Sequence, residues 1–99
     1  MKQKEVMILP TNEIAFQIFG QKDTNLQILK KAFDIEIVGR GNELHLWGTD
    51  DGIKNVKNVV EELQKIALEG SNVSDREVRY AIQTLKEGGK LDLFNLYND

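Results

Sequence analysis

The sequence predicts an α+β fold: a small three-stranded sheet with helices on one face, ordered β-α-α-β-β-α, plus an extra C-terminal helix. Three observations predict it. One continuous apolar run, Val6 to Leu9, and two alternating runs near residues 35–38 and 44–47 have the length and patterning of strands. Four other stretches repeat apolar residues every three or four positions, as helices with one buried face do. Ser, Thr, Asp or Asn opens each of these stretches and glycine closes most of them.

The elements follow in order. Val6-Met7-Ile8-Leu9 reads as a buried strand stopped by Pro10. Thr11 or Asn12 caps a first helix whose inward side holds Ile14, Ala15, Ile18 and Phe19, and Gly20 ends it. After a very short loop, Asp23 and Thr24 open a second helix. Thr24 and Gln27 have capping-box spacing, and Leu26, Leu29, Ala32 and Phe33 form the stripe. Ile35 and Ile37, then Leu44 and Leu46, form a hairpin around a four-residue loop, Gly39-Arg40-Gly41-Asn42. Thr49 or Asp50 caps a long helix with Ile53, Val56, Val60, Leu63 and Ala67 inward, stopped by Gly70. Ser74 with Glu77, and Val73 with Val78, give the last helix a capping box and a hydrophobic staple. Val78, Ala81, Ile82 and Leu85 are its inner face, and Gly88-Gly89 end it. Leu91, Leu93, Phe94, Leu96 and Tyr97 make the tail too apolar for a solvated end, so it is expected to pack on this domain or another.

Composition narrows the function. Ninety-nine residues suit one small domain, and 40% hydrophobic with 29% charged residues is globular rather than disordered. With no cysteine, disulfide scaffolds, thiolate nucleophiles and Cys-based zinc sites are excluded. Neither a signal-peptide pattern nor a bilayer-length apolar run occurs, so the expectation is a cytoplasmic protein with no membrane partner. The net charge of −3 argues against strong, indiscriminate phosphate binding. Six basic against five acidic side chains lie in residues 1–42, and seven against eleven in residues 43–99. A nucleic-acid surface is therefore expected in the first half, and a protein-facing surface in the second. No G-x-x-x-x-G-K-[ST] run, dinucleotide loop or nucleophile–base arrangement is present, so no catalytic or metal-binding residue is assigned.

The loop Gly20-Gln21-Lys22-Asp23 between two helices is the most informative feature. In a KH module a G-x-x-G loop at this place clamps a nucleic-acid backbone, with small residues letting phosphates approach the amides. Here Gly20 is present and Lys22 supplies a cation, while Asp23 replaces the second glycine and is a candidate helix cap. The loop either contacts nucleic acid weakly or only turns a tight corner. Arg40 either reaches a phosphate or is a solvated turn residue. Lys30-Lys31 either extends the basic edge formed by Lys22 and Arg40 or is an ordinary solvated pair. His45 and Trp47 share one strand face. Exposed, the pair can stack bases; packed under the fourth helix, it belongs to a core or partner contact.

Taken together, Phe19-Gly20-Gln21-Lys22-Asp23-Thr24-Asn25-Leu26, Ile37 to Gly48 with its Arg40-Gly41-Asn42-Glu43 turn, and Ser74 to Ile82 resemble the region ahead of the ATPase domain in PhoH-like proteins. The similarity runs from about Glu5 to Gly88. It implies a KH-like domain over residues 1–70, an additional helix packed on it over 71–89, and a linker over 90–99 toward an ATPase domain. It further implies a bacterial, cytoplasmic parent protein that binds ATP through a P-loop in that other domain and is linked to RNA metabolism, often beside a ribosomal-RNA maturation nuclease. No cofactor is implied for the residues present. Gly20, Gln21, Lys22, Asn25 and Arg40 are the expected nucleic-acid contacts, with single-stranded RNA, the protein's own ATPase domain and the nuclease as expected partners. The alternative is a protein-interaction or regulatory domain, which would dock through the fourth helix and the Leu91–Tyr97 tail.

Overall fold

The chain folds in the order β1 (Gln3–Ile8), α1 (Asn12–Phe19), a single 3-10 turn (Gln21–Asp23), α2 (Thr24–Phe33), β2 (Glu36–Arg40), β3 (Glu43–Gly48), α3 (Asp50–Leu68) and α4 (Asp75–Lys86). This is seen in a computed structural model, which describes residues 2–88. Gly89 and the 90–99 stretch, with the apolar tail expected to pack, lie outside the described residues. The order matches the expected α+β arrangement with its added helix.

The sheet order is β1-β3-β2, and both pairings are antiparallel. Leu44 and Leu46 of the central strand are fully buried, with Ile37 beside Leu46 on β2. α2 lies against β2, and α3 against β3 and β1, so the helices line that one face. Their stripes fill the core with Ala15 and Ile18, Leu26 and Leu29, and Val56, Val59, Val60 and Leu63. Each fully buried Leu or Ile contributes about 1.5–3 kcal/mol relative to exposure.

Local chemistry sets the helix ends. The Thr11 hydroxyl accepts from the Ile14 N–H at 3.1 Å, and the Thr49 hydroxyl from the Gly52 N–H at 3.1 Å. Both bonds satisfy N–H groups that a helix start would otherwise leave orphaned. The Ser74 hydroxyl bonds the Glu77 carboxylate instead of a backbone amide. Thr24 does not cap α2: it has helical backbone angles, and its hydroxyl donates to the Gln21 carbonyl at 2.5 Å.

Three further expectations need correction. β1 is not a buried strand. It begins at Gln3, lies at the sheet edge and exposes Val6 and Ile8, while Leu9, just past its end, is the buried residue. The hairpin loop is two residues long, because Gly39 and Arg40 belong to β2, with Arg40 directly opposite Glu43. Gly41 takes φ +59° at the first loop position, as a II′ turn requires. Finally, α4 packs on α2 and α3 within the helix layer, and so does not cover His45 and Trp47.

Gly39 is glycine for a packing reason. A Cβ there would stand 2.5 Å from the Phe19 ring, which lies on the strand at that point. Gly39→Ala is therefore expected to cost about 1–3 kcal/mol through forced displacement of a buried ring. Thermal unfolding followed by circular dichroism should show the melting temperature falling by roughly 4–8 °C per kcal/mol in a domain of this size. An unchanged melting temperature would show that Phe19 does not press on Gly39.

Candidate functional site

The corner between α1 and α2 is built from a small set of contacts. α1 ends at Phe19, and Gly20 leaves the helix at φ 81°, ψ 169°, its N–H donating to the Phe16 carbonyl at 3.0 Å. Lys22 and Asp23 then both take left-handed backbone angles, at φ 55° and 57°. Such angles cost a non-glycine residue roughly 1–2 kcal/mol, less for Asp, whose short side chain tolerates them. The fold meets that cost through Asn25. This residue is buried, and its Nδ2 donates to the Ile18 carbonyl at 3.0 Å, one of the oxygens left open at the end of α1. A Cβ on Gly20 would stand 3.1 Å from both Cγ and Nδ2 of Asn25. Gly20 is thus fixed twice, by its positive φ and by the carboxamide against it.

This locking divides the expected contact residues. Gln21, Lys22 and Asp23 are exposed at the corner, with Gly20 half-buried behind them. Asn25 faces inward and is engaged by Ile18, so its role is to hold the corner. The Asp23 side chain makes no capping bond, which leaves the start of α2 without a side-chain cap. Arg40 is exposed, but strand alternation puts it on the sheet face turned away from the helices, with His45 and Trp47. Lys22 and Arg40 therefore serve different faces. The Lys30-Lys31 pair also separates: Lys30 bonds Glu36 at 3.3 Å, whereas Lys31 lines a groove between α2 and α4.

That groove, of about 770 Å³, was not foreseen. Ile28, Ala32 and Ile82 are among its lining residues, with Lys31, Arg79 and Lys86 supplying cations. Ile28 lies just outside the assigned stripe of α2 and was the available signal. The sheet face of His45 and Trp47, which was expected to be either exposed or packed, is covered by none of the described residues. Its edge strands expose Ile8 (63%), Val6 (43%) and Val38 (38%) around the half-buried His45 and Trp47. No helix among the described residues is long and apolar enough to cross a membrane.

No family model matches the chain. A PhoH-like protein of Bacillus subtilis (strain 168) is 27% identical over 73 residues, which is 74% of this chain and 23% of that protein. The chain is related to the PhoH-like proteins. It spans about a quarter of that relative's length. A crystal structure of a protein of unknown function from Aeropyrum pernix matches with a TM-score of 0.63 and 16% identity, over 87% of this chain and 49% of that one. This second likeness is one of fold.

The fold brings the corner and the hairpin turn together. Phe19, at the head of the corner, packs on Gly39 at the head of the hairpin turn. Asn42 of that turn is held in its own right: its Nδ2 donates to the Leu9 carbonyl at 3.0 Å, and its carbonyl accepts from the Leu9 N–H at 2.8 Å. Both stretches are thus tied to the ends of α1. The sequence contains no P-loop run.

The corner's dependence on Asn25 is measurable. Asn25→Ala leaves the Ile18 carbonyl buried without its donor and should cost about 1–3 kcal/mol in urea denaturation. Asn25→Asp should cost more, since it replaces the donor with an acidic group facing a carbonyl. Equal stability of all three proteins would refute the locking role.

Proposed function

We propose that this PhoH-related chain is a KH-like, non-catalytic accessory domain of an ATP-binding parent protein, and that its α1–α2 corner contacts single-stranded RNA weakly. The observation that carries this reading is the corner itself. It is exposed, its backbone is fixed by Gly20 and Asn25, and Lys22 stands at its tip beside an uncapped helix start. A phosphate meeting such a corner finds a cation and the positive end of α2. The element order and the position of the corner are those a KH module uses to grip a nucleic-acid backbone. Asp23 opposes phosphate at the same corner, which is why the contact is weak. Arg40 adds a phosphate contact on the other face, and the setting is the cytoplasm, where RNA is available.

A second reading has its own support. Residues 43–99 are net acidic, and the groove between α2 and α4 presents Ile28, Ala32 and Ile82 among polar and charged side chains. These suit docking on the parent's ATPase domain, another subunit or a ribosomal-RNA maturation nuclease.

Titrating labelled single-stranded RNA by fluorescence anisotropy at several salt concentrations separates the two. Phosphate contact predicts that log affinity falls with log salt at a slope of about −0.7 per phosphate neutralised. Lys22→Glu should weaken binding several-fold while leaving the circular dichroism spectrum unchanged. Absence of binding at the lowest salt would end the RNA reading and leave the docking one.

A further inference from the structure

We infer that the uncovered face of the sheet is a second nucleic-acid surface, on which Trp47 and His45 stack unpaired bases. This rests on the RNA-contact reading and adds to it a surface away from the α1–α2 corner. Trp47 and His45 stand two residues apart on the central strand, on the face opposite Leu44 and Leu46. Their rings are already stacked, with centroids 6.1 Å apart and planes 22° from parallel. Val6 and Val38 sit directly across from His45 on the two edge strands and give the platform a stiff apolar surround.

Two cations on this face can meet phosphate. The Lys4 ammonium lies 5.4 Å from the Trp47 ring centroid, so it can leave the ring for a phosphate when a base takes its place. Arg40 supplies a cation at the opposite end of the face. Of the acids here, Glu36 is paired with Lys30 at 3.3 Å, while Glu43 is hydrogen-bonded to His45 at 3.0 Å and stands opposite Arg40. An aromatic platform flanked by cations is the combination that holds single strands with little sequence preference.

The dimensions of the face suit a short single strand. β1 and β3 have six residues each, so the face is about 20 Å long and about 15 Å wide across three strands. A segment of two or three nucleotides fits it.

Trp47 is the sole tryptophan of the chain, so its fluorescence reports on this face alone. The test titrates an unlabelled oligouridylate ten-mer into the 99-residue protein and follows Trp47 emission. In parallel, anisotropy of the same oligomer carrying a dye reports total binding. Stacking predicts saturable quenching that tracks the anisotropy curve and weakens with salt. Trp47→Thr and His45→Thr, both keeping a strand-forming residue, should each weaken binding about fivefold or more. In Lys22→Glu protein the quenching should persist, shifted to higher RNA concentration. Anisotropy binding without quenching would overturn the stacking surface and leave the corner reading intact. No anisotropy change at low salt would overturn both. Emission that shifts to the blue with protein concentration, and ignores RNA, would identify a protein interface and overturn the proposal.

Discussion

The hydrogen bond from Asn25 Nδ2 to the Ile18 carbonyl is the constraint on which the α1–α2 corner depends. A helix leaves its last carbonyls open, and here one is answered from the next helix rather than by water. That answer requires α2 to begin almost where α1 stops. The chain between them must therefore turn within a few residues, and the left-handed angles of Lys22 and Asp23 are the result. Gly20 follows for the same reason, since any side chain would meet the Asn25 carboxamide. Local strain, a buried carboxamide and an exposed lysine are consequences of one contact.

A second constraint couples this corner to the sheet. Phe19 occupies the space that a side chain on Gly39 would take, so the C-terminal end of α1 sits directly on β2. The Asn42–Leu9 bonds tie the hairpin turn to the entry of α1. Both ends of a helix of only 8 residues are thereby anchored to the sheet. With α1, α2 and α3 on one face and α4 added beside them, nothing among the described residues covers the other face. The apolar side of α4 (Val78, Ala81 and Ile82) is satisfied by α2 and α3, which removes its reason to cross the sheet edge.

Much of this was legible in the sequence because it is local. The Thr11 and Thr49 caps, the positive-φ glycines at 20 and 70, and the helix stripes rest on residues a turn or less apart. What escaped notice depends on distant partners. Gln3, Lys4 and Glu5 show no apolar signal, yet they pair with β3 through backbone bonds that are indifferent to side-chain type. Gly39 looks like a turn residue because glycine is common in turns, whereas its lack of a Cβ serves Phe19, twenty residues earlier. Asn25 looks like a polar surface contact at a helix start, and only the fold reveals that it faces Ile18. The hydrophobic pattern of α4 predicted an apolar face but could not name the face it would meet.

The corner is thereby a preformed structure rather than one that a ligand must induce. Solvent exchange of the Asn25 side-chain amide protons, measured by nuclear magnetic resonance on the free protein, tests this most directly. The account predicts exchange slowed to the range of the backbone amides within α2. Exchange as fast as that of an exposed asparagine such as Asn58 would mean that the carboxamide is free in solution, and that the corner has no fixed shape to present.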